Sequence, residues 1–206
     1  MFPHAIALPH RRILVALAAA LLLAACGPSP EQMAAAEAAD AQAREAKRAL
    51  LEEAEQRAEA ERLTALWSYT SFAVPGETAP QKAATLRNQR PEFGEESFVE
   101  PPTVQLVLRD DPRWGQSVYL IIEDGLFDCG SPCAFNLRFD GGEPLRYTGD
   151  ASSTGTRPAL FIEDDVGFIT AIVSAKQVAI EPVSGRHAPL LFEVAGFDPM
   201  RYAAGR

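Results

Sequence analysis

The chain has 206 residues, 47% of them apolar, which is enough for one domain with a real core plus additional segments. Its 28 acidic residues outnumber 19 basic ones, for a formal net charge of −9. Nucleic-acid phosphates and anionic lipid surfaces repel such a chain, so no nucleic-acid partner is expected. Composition also changes along the chain. Ala, Glu and Arg dominate the first third, and Phe, Val, Ile, Leu, Gly and Pro the rest, which predicts two parts.

Residues 1–25 follow the three-part plan of a secretory signal. A leading segment ends in Arg11-Arg12, an apolar run covers Ile13 to Leu23, and Leu23-Ala24-Ala25-Cys26 follows. The apolar run is short for a bilayer span, which needs about 20 residues. Small residues directly before Cys26 favour cleavage there. Loss of Arg11 and Arg12 would leave the chain still more acidic. The motif resembles the lipobox of bacterial lipoproteins, a Leu and two small residues before a Cys. That resemblance implies a diacylglyceryl group on the Cys26 thiol, cleavage before it, and a further acyl chain on the new amine. The lipid bilayer would then be the first partner, held firmly because each buried methylene contributes about 0.8 kcal/mol. Residues 26–29 would form the anchor. Gly27 stands where an Asp favours inner-membrane retention in such proteins, which points to the outer membrane, with the chain facing the periplasm.

Ser29-Pro30-Glu31-Gln32 is a helix start: Ser29 can cap, Pro30 suits the first helical position, and Gln32 can close a capping box. From there to Leu66 no Gly or Pro intervenes, and helix-forming Ala, Glu, Gln, Arg and Leu dominate. Residues 30–66 are predicted as a helical stalk. Large apolar residues are sparse apart from Leu50, Leu51, Leu63 and Leu66, so a strict coiled-coil heptad cannot run the full length. Weak homo-oligomerisation through the Leu-bearing end is the alternative to a solvated helix.

Residues 67–198 read as a β-rich domain, and 199–206 as a tail. Trp67 to Val74 is a first strand. Pro75 to Pro91 reads as a linker or long loop, and Glu96 to Glu100 as a short strand. Val104, Leu106 and Leu108 alternate with Gln105, Val107 and Arg109 as in a strand. Asp110-Asp111-Pro112 is a turn, and Ser117 to Glu123 is nearly all apolar, as in a central strand. Phe135, Leu137 and Phe139 share a face of the next strand. Asp140-Gly141-Gly142-Glu143 supplies a hairpin turn before Leu145 to Tyr147. Ala159 to Glu163 is another strand. Asp164-Asp165 caps a helix from Val166 to Lys176, whose stripe is Phe168, Ile169, Ile172, Val173 and Ala175. Gln177 to Pro182 and Pro189 to Val194 close the set. The expected fold is mainly β (α+β): an antiparallel sandwich or curved sheet with one helix, preceded by a long N-terminal helix.

Three cysteines occur. Assigning Cys26 to lipid leaves Cys129 and Cys133, an even pair suited to an oxidising compartment, with Gly-Ser-Pro between them for a turn. A disulfide is expected there, because a redox pair usually shows Cys-x-x-Cys spacing and a metal site lacks further ligands. His187, the one histidine beyond the signal, reads as a solvated loop residue. Ser152, Ser153 and Thr154 read as a Gly-bounded loop without a nucleophile elbow. Asp128, Asp140 and Asp150 lie around loops without calcium-binding spacing. No catalytic residue, metal site or cofactor is therefore expected. Trp114, Arg138 and Arg146 are the candidate binding surface, since Trp and Arg recur at binding hot spots, and the two arginines are expected across from each other on the polar side of a hairpin.

Residues 67–198 also resemble VasI-type accessory proteins of type VI secretion. The similarity rests on Trp67-Ser68-Tyr69, Leu106-Val107-Leu108-Arg109, Leu137-Arg138-Phe139-Asp140, Phe168 to Lys176, and Phe192-Glu193-Val194-Ala195-Gly196-Phe197. It implies a non-enzymatic accessory role and an unidentified envelope or secreted protein as partner. An envelope hydrolase acting on cell-wall material and a structural spacer that assembles through its helix stay open beside it.

Overall fold

Ser29 opens the first helix with the expected reciprocal cap. Its hydroxyl accepts from the Gln32 backbone N–H at 3.2 Å, while the Gln32 side-chain oxygen accepts from the Ser29 N–H at 2.9 Å. Helix α1 runs Pro30–Leu66, 37 residues, and buries none of them fully. Leu50 and Leu51 are exposed. At 1.5 Å per residue the helix is about 55 Å long. The computed structural model describes residues 28–89, 102–123, 125–127, 129, 132–154, 157–182 and 189–203. Cys26, His187, Asp128 and the segment Glu96 to Glu100 lie outside them. By contacts the chain divides inside α1 into one unit through Glu55 and a second from Gln56 onward. Among the described residues no helix is long and apolar enough to cross a membrane.

The second unit is built on one nine-stranded antiparallel sheet: β1 Ser68–Phe72, β2 Gln81–Arg87, β3 Val104–Asp111, β4 Gly115–Ile122, β5 Cys133–Phe139, β6 Leu145–Thr154, β7 Arg157–Ile162, β8 Gln177–Pro182 and β9 Leu190–Glu193. Their order is β1-β2-β3-β4-β7-β6-β5-β8-β9. A curved sheet was one of the two expected forms. Strands β1 to β4 form a meander. The chain then crosses to β5 and returns through β6 and β7, which lands beside β4, a Greek key. The ends of the order come together: the Gln89 N–H, just after β2, donates to the Leu191 carbonyl of β9 at 2.7 Å. The sheet is thereby curled around its own inner face.

Period-two alternation supplies that face. Leu86, Leu106, Leu120 and Leu160 stand in one cross-strand row. They join Val104, Leu108, Val118, Phe135, Leu137, Val178, Ile180 and Phe192 in one buried cluster. Each such side chain contributes about 1.5–3 kcal/mol by leaving water. Helix α2, Asp165–Ile172, inserts Phe168 and Ile172 into the same cluster. Gly149 is required where β6 crosses β7, because a Cβ there would lie 2.3 Å from the Phe161 carbonyl oxygen. Edge strand β1 is short, polar and mostly exposed, which blunts it as a template for further pairing.

Several boundaries differ from the expectation. The stretch read as a loop from Pro75 to Pro91 contains β2. Its inward residues Ala84 and Leu86 are small in number and flanked by polar side chains, so the alternation is faint. The Leu145 to Tyr147 strand extends to Thr154, so Ser152, Ser153 and Thr154 belong to a strand rather than a loop. The helix ends at Ile172 rather than Lys176, with Val173 as its C-cap. The tail after Asp198 is not featureless: helix α3, Pro199–Ala203, buries Tyr202.

Candidate functional site

The turn between β3 and β4 is organised by one carboxylate. Asp111 is 2% exposed, and its Oδ1 accepts from the backbone N–H groups of Arg113 at 2.9 Å and Trp114 at 3.3 Å. The Arg113 guanidinium lies 3.4 Å from the same oxygen. Burial opposes ionisation of this carboxyl, but the hydrogen bonds from Arg113 and Trp114 outweigh it, and its pKa falls below the usual carboxylate range. Gly115 takes the left-handed conformation (φ +80°) that returns the chain to β4. The result is a pinned turn that carries Trp114 with 74% of its surface exposed, 6.0 Å from the Arg113 guanidinium.

Beside this turn, Tyr202 of α3 packs against the end of β3 and the start of β4. The Tyr202 hydroxyl donates to the Arg109 carbonyl at 3.0 Å, and the side chain is 1% exposed. Burial pushes its pKa up to about 12, and the Asp165 carboxylate adds to the effect, while a hydrogen bond with Gln116 and the Arg109 charge oppose it. Tyr202 therefore joins α3 to β3 and β4. Behind it, Phe197 stands 5.7 Å from the Tyr202 ring and 5.0 Å from Trp67. The Trp67 indole N–H donates to the Val194 carbonyl at 3.2 Å. Asp198 caps α3 by accepting from the Met200 N–H at 2.9 Å, and its own N–H donates to the Tyr69 hydroxyl at 2.6 Å. Arg201 lies 4.1 Å over the Tyr69 ring.

Three large apolar side chains of α2, its C-cap and α3 stand exposed. Met200 on α3 is 73% exposed, and Val166 on α2 is 61% exposed. Val173, also more than half-exposed, follows Val166 by seven residues and so lies on the same helix face. The sequence stripe placed Val173 in the core, but only Phe168, Ile172 and Ala175 of that stripe are buried, with Ile169 packed partly against them. Asp164 caps α2 as expected, its Oδ1 accepting from the Gly167 N–H at 2.9 Å.

The other expected binding residues lie elsewhere. Arg146 is paired with Asn136 rather than Arg138, so the two arginines are diagonal neighbours on one face. Arg138 is engaged: its Nε lies 2.9 Å from Glu181, and a terminal nitrogen donates to the Gly142 carbonyl. Strand β7 separates β4 from β6, so Trp114 and the arginine pair do not form one site. Asp140, considered for calcium, uses its Oδ1 to accept from the N–H groups of Lys176 and Gln177, both at 2.8 Å. Among the described residues no group of three or more His, Cys, Asp or Glu is placed to hold a metal ion.

Cys129 and Cys133 are joined in a disulfide with their Cα atoms 5.2 Å apart. Cys133 opens β5 and is buried, so the bond staples the crossing from β4 to the start of the Greek key. A second junction ties α1 to the sheet. The Arg62 guanidinium binds both Glu59 of its own helix and Glu193 of β9, and Glu193 also accepts from the Gln89 side chain at 3.2 Å. The hydrogen bonds from Arg62 hold both carboxyls below their usual pKa range. Beside them Gly196 (φ +79°) brings its backbone against Leu63, where a Cβ would come within 2.6 Å. A surface groove of about 510 Å³ runs along this junction, lined by α1 residues, Trp67 and Arg201.

Tyr202, Met200 and Val166 were not singled out by the sequence. Tyr202 lies in a pentapeptide helix without periodicity, and an apolar helix such as α2 does not reveal which of its faces looks outward. Compared with protein-family models, curated proteins and solved structures, the chain matches none of them.

Proposed function

We propose that this chain is a non-enzymatic accessory lipoprotein of the bacterial cell envelope that binds another envelope or secreted protein. In this reading Cys26 is acylated, the chain faces the periplasm from the outer membrane, and helix α1 acts as a spacer. The β-domain supplies the binding end. The observation that carries the reading is Trp114, a large aromatic side chain left mostly exposed on a turn pinned by a buried carboxylate. Rigid, exposed aromatic groups lose little conformational entropy on binding and are favoured anchors. The disulfide fits an oxidising compartment, and the Leu23-Ala24-Ala25-Cys26 motif supports the anchor.

Two measurements test this. Intact mass and membrane fractionation of the native chain and a Cys26→Ser variant should give a lipidated, membrane-bound species that the variant lacks. A photo-crosslinking residue in place of Trp114, in cells, should form a discrete adduct with another protein. Unmodified native chain would sink the anchor, and the absence of any adduct would sink the binding role.

A further inference from the structure

We infer that the last turns of α1 are a strap that holds the curled sheet shut along the seam between the end of β2 and β9. Loosening the strap lets β9 part from Gln89 and bares its backbone edge. The strap is a property of the fold and acts whatever the domain binds.

The two walls of the seam are held differently. No ladder joins β2 to β9. Among the described residues their backbones meet where the Gln89 N–H donates to the Leu191 carbonyl. The β2 wall is fixed on its far side by Asn88, which is 7% exposed. The Asn88 side-chain oxygen accepts from the Val104 N–H at 2.8 Å, and its amide nitrogen donates to the Pro102 carbonyl at 3.1 Å. Strand β9 is only four residues long and has a ladder to β8 alone. Buried Phe192 draws it inward, but its outer edge is the wall with freedom to move.

Helix α1 restrains that wall from outside. A terminal nitrogen of Arg62 donates to Glu193 Oε2 at 3.1 Å, and the same oxygen accepts from the Gln89 side chain at 3.2 Å. One carboxylate oxygen of β9 is thus shared by the helix and by the β2 wall. Gln89 Oε1 in turn accepts at 3.3 Å from Gln177 of β8, the register partner of Glu193. Just past the helix, the Trp67 indole N–H donates to the Val194 and Ala195 carbonyls at 3.2 and 3.3 Å, so the chain leaving β9 is tied to the same place. Hydrogen bonds from a guanidinium to a carboxylate are charge-assisted and fix its orientation. Without Arg62, Glu193 exchanges that donor for water and no longer stays fixed against Gln89. Parting the seam leaves the Leu191 carbonyl without its Gln89 donor, and an unpaired strand edge is a template for another extended segment. Whatever displaces the end of α1 therefore controls access to that edge.

The test is amide hydrogen exchange on the full chain, read by NMR at the Gln89 N–H and, for comparison, at the amides of the β3–β4 ladder. Arg62→Gln should speed Gln89 exchange about fivefold and leave the β3–β4 amides as they were. In a Glu193→Gln background, where the shared carboxylate is already gone, the same substitution should add less than about twofold. Arg138→Gln removes an ion pair of similar exposure from β5 and β8, and it should leave Gln89 unmoved. Unchanged Gln89 exchange in Arg62→Gln would overturn the strap. So would an equal acceleration of the β3–β4 amides, which would mean that the whole domain opens rather than the seam. A full fivefold effect of Arg62→Gln without the Glu193 carboxylate would overturn it too, because Arg62 would then act elsewhere. An acceleration by Arg138→Gln as large as that by Arg62→Gln would show that Gln89 answers to any lost ion pair, and would likewise reject the inference.

Discussion

Asp111 shows how one side chain sets the character of a surface. It is almost fully buried at the end of β3, yet its carboxylate oxygen faces two backbone N–H groups and a guanidinium, so the charged form is favoured. Its pKa in the folded chain lies below the value of about 3.9 expected for an unfolded one. The folded state therefore binds fewer protons than the unfolded state as pH falls below about 4. The stabilisation is complete above that pH and is lost as the carboxyl protonates at its lowered folded value. Titration from pH 5 to 2 should loosen the turn, read as a loss of Trp114 emission anisotropy. An Asp111→Asn variant, which keeps the acceptor oxygen without the charge, should show no such step. Asp-Asp-Pro is legible in sequence as a turn, and Asp111 does open it. From its place after that turn Trp114 is expected on a binding surface; what sequence does not reveal is that the carboxylate pinning the turn is itself buried.

At the scale of elements, the long helix was the most legible feature, since the capping box at Ser29 and the absence of Gly and Pro fix both its start and its continuity. Its end carries information that periodicity does not contain. Leu63 rests against the backbone of Gly196, and Arg62 reaches Glu193, contacts between residues more than a hundred positions apart. Gly196→Ala should be costly on two counts, a positive φ and a Cβ driven into the Leu63 carbonyl group. A loss of about 3 kcal/mol is expected, or roughly 10 °C in Tm, with faster hydrogen exchange in the last turns of α1. An unchanged melting curve would mean that the helix end is not held there. Strand β2 was missed for a related reason. Ala83 and Ala84 are buried by their neighbours β1 and β3 rather than by size, so their hydrophobic signal is too weak to mark a strand. Helix α3 escaped notice because only tertiary packing gives its single turn a reason to form.

For the whole molecule, the sheet's inner face was readable strand by strand from alternation, while the order of strands was not. Nothing local tells β4 to pair with β7. The tyrosines expose a property of the assembled domain. All four, Tyr69, Tyr119, Tyr147 and Tyr202, have raised pKa values, chiefly through burial. For an acid held protonated in the fold, the unfolded chain releases its proton first, near pH 10, so stability is intact below that pH and declines above it. Alkaline titration should therefore give cooperative loss of structure above about pH 10, with phenolate absorbance rising in step with unfolding. Independent phenolate titration of Tyr119 and Tyr202 near pH 10 with the fold intact would contradict the burial of these two rings. The junction of α1 with β9 also has a mechanical meaning. Were the chain tethered at its N-terminal side, any pull arriving along the helix would reach the Arg62–Glu193 ion pair and the Leu63–Gly196 contact before it reached β1. Edge strand β1, which holds to the sheet by one ladder only, would be shielded from being unzipped one hydrogen bond at a time. The load would instead spread to β9 and, through Glu193 and Gln89, to the seam where the two ends of the sheet meet.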